Sequence, residues 1–183
     1  MKTMFLSLSL LSLTAGAASL EIHRPAAKTK VAAQAEQTFT GRCGICHGES
    51  GLGDGVAAMG MKPAPRSFFD AAWQKTVTDD YLQKVIAEGG AAHGKSPLMP
   101  AHTDLSQDVI KALVKLIRAQ AKSGLLVDGK LIAPKIGGVT ALTVEEGKTV
   151  VVVVDTNQNK KADKGEQKAS VKIDKPNVRL QLK

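Results

Sequence analysis

Only two cysteines occur in the 183 residues, Cys43 and Cys46, and His47 directly follows the second. The stretch reads GRCGICHGESGLGDG over residues 41–55. Cysteines this close cannot tie distant parts of the chain together, so whatever they bind is organised locally and the rest of the fold closes around it. Aromatic residues make up 3% of the chain, with one Trp, one Tyr and four Phe. A domain so short of large rings must fill its core in another way, and a large apolar cofactor would serve.

The start of the chain predicts a secretory leader over residues 1–18. Lys2 is a short positive start, Met4 to Leu13 form an apolar run, and Ala15-Gly16-Ala17 are small residues suited to cleavage. That run is far below the roughly 20 residues a membrane span requires. No later stretch is long enough, and the valines from Val150 to Val154 read as a buried strand. After leader removal the expected protein has no transmembrane segment and is periplasmic or otherwise exported. A net charge of +8, one unit of it from Lys2, favours acidic protein partners or an anionic membrane surface. No arginine-rich run or interleaved aromatic-basic pattern points to nucleic acid. Nothing in the pattern specifies an oligomeric state.

Residues 19–124 read as a helical domain. The Ala-rich segment 28–40 predicts a helix running into the cysteines, with Val31, Ala35 and Phe39 on one face. Gly48 to Gly55 is a turn-rich loop, and the prolines of MKPAPRSFFD favour extended chain. A second helix starts at an N-cap Thr78 and stops at Gly89, with Tyr81, Leu82, Val85 and Ile86 as its apolar stripe. Residues 89–102 read as an irregular functional segment. A last helix is capped by Ser106 and ends before Gly124, burying Val109, Leu113, Leu116 and Ile117. From Leu125 the chain turns rich in Val, Ile and Thr, with period-two alternation, and residues 125–183 predict a small all-β module of four or five short antiparallel strands.

Three chemistries compete at Cys43, Cys46 and His47. A thioredoxin-like dithiol needs a strand before its first cysteine, and a helix is expected there. Zinc needs four ligands, and His23, His93 and His102 are not spaced like a zinc-binding pair. Covalent haem uses all three residues, one thiol for each vinyl group and the imidazole for one face of the iron. A ligand for the far face is then required from a distant loop. Met99, flanked by Pro97 and Pro100, is the expected ligand. Met59 and Met61 lie closer to His47 in sequence, and His93 or His102 would make the iron bis-histidine.

The stretch from about Ala32 to Ala121 resembles a class I monohaem cytochrome c domain of the bacterial type. The likeness rests on an aromatic, Phe39, four residues before Cys43, then CxxCHGxxGxGDG, a KPxP segment, an MP loop and a closing helix. It implies an all-α domain of three or four helices around one covalent haem c, with His47 and Met99 as axial ligands and electron transfer as its role. In the family a prolyl carbonyl usually receives the imidazole proton, which Pro63 or Pro65 would supply. Arg66 and Trp73 are candidates for binding the propionates. This chain departs from the family's pattern at Ala35, where glycine is frequent, and at Leu116, where an aromatic is frequent. The resemblance implies a carrier of single electrons between redox proteins, or the electron-transfer subunit of a larger exported oxidoreductase. A haem sensor or enzyme follows instead if Met99 does not stay on the iron. Lys62, Lys75, Lys84 and Lys95 stand where they would steer it to acidic docking surfaces.

A second motif, DTNQNKKADKGE, places Asp155, Asn157, Asn159, Asp163 and Glu166 at positions one, three, five, nine and twelve of a calcium loop. Lys160 stands where glycine makes the sharp turn, and the flanks read as strands. A polar connection is therefore the favoured reading over calcium. The β module itself is a candidate for docking on a redox partner.

Overall fold

The computed structural model describes residues 16–23, 27 and 29–181. The leader's positive start and apolar run lie outside these residues. Helix α1 (Lys30–Thr38) begins where the Thr29 hydroxyl accepts the Ala32 amide at 3.1 Å. It passes through one π-helical turn, Phe39–Cys43, into α2 (Gly44–His47), so the three form a single helical run. A four-residue helix, α3 (Ala71–Gln74), follows with Asp70 as its cap. Helix α4 (Asp79–Glu88) is capped by Thr78 and stops at Gly89, whose φ of 82° is one glycine adopts freely. Helix α5 (Gln107–Gln120) is capped by Ser106.

Ala35 and Phe39 are buried against α5, where Val109, Ile110, Leu113, Val114 and Ile117 face inward with Leu82 and Ile86 of α4. Ala35 lets α1 and α5 approach closely, as small residues do at helix crossings. Val31, expected on the same face, is exposed, because it lies one turn before the crossing. At the other end of α5, Arg118 donates to the Gln74 carbonyl at 2.5 Å, the Val77 carbonyl at 2.6 Å and the Asp79 carboxylate at 2.7 Å. Those bonds tie α5 to the loop between α3 and α4.

The β region is larger than four or five antiparallel strands. Strands β2 (Gly124–Val127), β3 (Lys130–Ile132), β5 (Thr149–Asp155) and β6 (Lys168–Lys172) make an antiparallel sheet in the order β3-β2-β5-β6. Strands β4 (Val139–Glu145) and β7 (Asn177–Gln181) flank β1 (Ala17–His23), antiparallel to β4 and parallel to β7. Residues 17–23, divided by composition between leader and helical domain, are therefore a central strand. Ala18, Leu20 and Ile22 alternate inward, the period-two pattern of a strand with one buried face. They share a core with Val178 of the neighbouring β7 and with Leu125, Val127, Val150, Val152 and Ile173 from the facing sheet and its connections. Helix α5 ends before Gly124 as expected, with Ala121 as its C-cap, and Gly124 is the first residue of β2. Asp128 and Gly129, both with positive φ, make the tight turn between β2 and β3.

The two regions are joined by more than the chain. The β3–β4 connection drops Ile136 into the helical core, where it is fully buried. Its amide donates to the Glu49 carbonyl at 2.8 Å. The buried Gln120 side chain donates to the Ser50 carbonyl at 2.8 Å and to the Pro134 carbonyl at 2.7 Å, bridging α5, the 48–55 loop and this connection. Gln120→Leu removes both donors. It is expected to lower unfolding stability by about 1–3 kcal/mol, the cost of leaving buried carbonyls unpaired. A urea midpoint equal to wild type would show that the bridge contributes nothing.

Candidate cofactor site

The π turn and α2 carry both cysteines and His47 along one short stretch of helix. Gly48, with φ 76°, turns the chain out of α2. The following loop folds back on the motif: Gly53 donates to the His47 carbonyl at 2.8 Å and Gly55 to the Cys46 carbonyl at 3.1 Å. A Cβ on Gly55 would stand 2.3 Å from the Ile45 carbonyl oxygen, and one on Gly53 would stand 2.3 Å from that of Pro65. These approaches are why glycine recurs through GESGLGDG.

Cys43 and Cys46 are free thiols, each partly buried. Burial pushes the Cys43 thiol up to about 11 against the lowering influence of Arg42, with Cys46 adding to the rise. A reactive dithiol needs the opposite, a stabilised thiolate. Burial also holds the His47 imidazole below its ordinary range, although its bond to the Arg66 carbonyl works the other way. Nδ1 lies 3.3 Å from that carbonyl oxygen, which can only accept, so Nδ1 carries the proton and Nε2 keeps its lone pair. The ring stacks on Phe68 with centroids 4.5 Å apart and planes at 21°.

The acceptor facing His47 thus belongs to Arg66 and not to Pro63 or Pro65. The Pro65 carbonyl is turned toward Gly53 instead, and Pro63 is exposed. The Arg66 guanidinium lies 5.3 Å from the Trp73 ring centre and 3.8 Å from the Asp70 carboxylate, while Trp73 stacks on Phe68 at 6.1 Å. Both side chains have protein partners there.

Met99 sits in the irregular loop after α4. The loop presses back on the end of that helix: Gly90 donates to the Met99 carbonyl at 2.9 Å, and Met99 donates to Ser96 at 3.1 Å. A Cβ on Gly90 would stand 2.2 Å from the Ser96 carbonyl oxygen. Met99 is partly buried, whereas Met59 is 92% exposed. His93 places Nε2 3.0 Å from a Glu88 carboxylate oxygen and meets the Tyr81 ring edge-on. His102 is held below its ordinary range, by burial first and then by Arg42, against the pull of Asp104.

Five of the seven large apolar side chains exposed among the described residues are Ile45, Leu52, Val56, Met59 and Leu98. They cluster in sequence around the cysteines and beside Met99. A large apolar group would cover such residues, and an imidazole with Nε2 free beside two thiols is a donor set suited to haem. The residues present therefore fit that cofactor.

The 155–166 loop brings its expected residues together differently. The two Asp155 oxygens accept the Asn159 and Lys160 amides at 3.2 and 2.8 Å, and one Asp163 oxygen receives the side-chain amides of Asn157 and Asn159 at 2.8 and 2.7 Å. Glu166 accepts from Thr156 and Asp163. Lys160 makes the sharp turn without glycine, at φ 63°. Among the described residues no group of three or more His, Cys, Asp or Glu is arranged to hold a metal ion. Likewise, no helix among them is long and apolar enough to cross a membrane.

Sequence reasoning gave no role to Phe68 or Ile136. The only signal for Phe68 was its place in SFFD after the KPxP segment. Ile136 stood out only as a lone apolar residue between prolyl and glycyl turns.

Residues 30–117 match the family model described as cytochrome c oxidase, cbb3-type, subunit III. Among solved structures the chain is similar to one titled KustC0563 c-type cytochrome, at 30% identity, covering 46% of this chain and 93% of that one, with a TM-score of 0.34. No curated protein matches.

With its thiol raised to about 11, Cys43 is almost wholly protonated at neutral pH. Its alkylation by iodoacetamide in the haem-free chain is expected to climb about tenfold per pH unit toward that value. A rate already level between pH 7 and 9, read by peptide mass spectrometry, would contradict it.

Proposed function

This chain belongs to the c-type cytochromes through residues 30–117, and from that premise we propose that it is an exported carrier of single electrons with one covalent, His/Met-ligated haem. One observation carries the reading most directly. His47 has Nδ1 engaged by the Arg66 carbonyl and Nε2 free, next to two unpaired cysteines on the same helical run.

Cys43 and Cys46 would hold the haem through thioethers, His47 would take one axial position and Met99 the other. The group supplies a one-electron couple that changes its ligands little between oxidation states, with the thioether favouring the ferrous form. The chain's own residues do the rest. The Arg66 carbonyl holds the imidazole proton at Nδ1 and raises the basicity of Nε2. Phe68 keeps the ring in plane. The loop anchored on Gly89 and Gly90 would hold Met99 for the second position, which would leave none open to a substrate. A carrier, and not a self-contained enzyme, follows.

A second reading is favoured by the matched family's own description, a subunit of cytochrome c oxidase. In that case the chain passes electrons within a larger exported oxidoreductase. Exposed Lys62, Lys75 and Lys95 would favour acidic partners in either case, while Lys84 is already paired with Asp80 at 3.0 Å. The 155–166 loop we read as a hydrogen-bonded connection between β5 and β6. Truncation after Gly124 would remove Ile136 from the helical core, so substitutions on the outer faces of the sheets are the cleaner probe of docking by the β region.

Matured in a host that attaches haem c, the protein is expected to give a pyridine haemochrome of a doubly thioether-linked haem and, when oxidised, a sulfur-to-iron charge-transfer band. Met99→Ala should abolish that band and let the reduced protein bind carbon monoxide. A wild-type protein that binds carbon monoxide at neutral pH would remove Met99 as a stable ligand and favour a sensor or enzyme. With an acidic redox partner, the association rate should fall as salt is raised. A rate independent of ionic strength would exclude electrostatic steering.

A further inference from the structure

We propose that the β region reaches the redox centre through Ile136, which acts as a positioning residue for the His47 imidazole. The inference rests on the reading of His47 as the proximal haem ligand. It starts from an oddity of the fold: the helical core contains a fully buried side chain that the helical domain does not supply.

Ile136 and Phe68 close on Gly51 together. A Cβ placed on that glycine would stand 2.9 Å from Phe68 Cδ2 and 3.1 Å from Ile136 Cδ1. Phe68 is the ring on which His47 stacks. Its backbone is held at both ends, its amide donating to the Gly51 carbonyl at 2.6 Å and its carbonyl accepting from Gln74 Nε2 at 2.9 Å. With its backbone held, the ring is positioned by the side chains packed around it, Phe39, Trp73 and, at Gly51, Ile136. Among the described residues the other restraint on the imidazole is the bond from Nδ1 to the Arg66 carbonyl, which at 3.3 Å is long for a hydrogen bond. A long bond fixes the tautomer more firmly than the ring plane, so the plane depends on Phe68 and, behind it, on Ile136.

Ile136 is itself pinned to the loop it supports. Its amide bonds to the Glu49 carbonyl, and the neighbouring Lys135 ammonium lies 2.5 Å from the Glu49 carboxylate. Two residues before His47's loop turns at Gly51, the β region thus grips the same segment by backbone and side chain. A close-packed interior passes a shape change on to its neighbours, so a smaller residue at 136 lets Phe68 and then the imidazole rotate.

The test uses full-length protein with haem attached. The proton NMR shifts of the haem methyl groups in the low-spin ferric state report the plane of the axial imidazole. Ile136→Val should displace this pattern and Ile136→Ala should displace it further. Ile22→Val removes the same methylene from the sandwich core, away from the Phe68 contact, and should leave the pattern at its wild-type position while lowering the denaturation midpoint. If Ile136→Ala does not accumulate, Ile136→Val decides: a displaced pattern supports the inference, and a wild-type pattern overturns it. A displacement of equal size in Ile22→Val would also overturn it, since any loss of stability would then suffice. Failure of the underlying functional reading would appear separately, as wild-type protein with no covalent haem.

Discussion

Phe68 stands where the local chemistry of the cysteine motif meets the long-range packing of the chain. One face of its ring carries the His47 imidazole, Trp73 stacks nearby, and Phe39 meets it edge-on at 6.3 Å. Its amide and carbonyl tie it to the glycine loop on one side and to α3 and α5 through Gln74 on the other. Gln74 is in turn bound by Arg118, so the same side chain that orients Phe68 is fixed by the end of the closing helix. The helical core and the candidate ligand are thus parts of one packing unit. The packing of the core and the placement of the imidazole therefore share the same contacts.

What could be read in advance was local. Thr78 and Ser106 cap their helices because a hydroxyl two or three residues before an orphan amide needs no knowledge of the rest of the fold. The Cys43–His47 spacing is likewise a statement about one turn of helix. Ala35 against α5 was legible because a small residue at helical period implies a close crossing.

What could not be read depended on partners far along the chain or on atoms that carry no residue identity. The acceptor facing His47 is a backbone carbonyl, which any residue possesses, so the prolines nearby misdirected the assignment by one position. Strand β1 was hidden because its alternation of Ala18, Leu20 and Ile22 directly follows an apolar leader-like run, where composition speaks louder than period. The calcium-like spacing of residues 155–166 was visible, but whether its oxygens face a cation or their own backbone is a matter of three-dimensional placement. Lys160 shows the limit of residue preference too, taking a left-handed turn that glycine would take more readily.

The position of β1 changes the standing of the helical region in the molecule. Glu21 and Arg179 lie side by side across β1 and β7 although 158 residues separate them. The helices are therefore an insertion between strands of one sandwich, entered from β1 and left through β2, and not a bead followed by a tail. A domain hung on one tether can swivel about it; a domain held by two strands of a common framework keeps only rotation about the line between its attachments. Ile136 and Gln120 stand against that last rotation as well. The framework thus removes orientational freedom from the helical region before anything binds to it, and such freedom is part of what association otherwise costs.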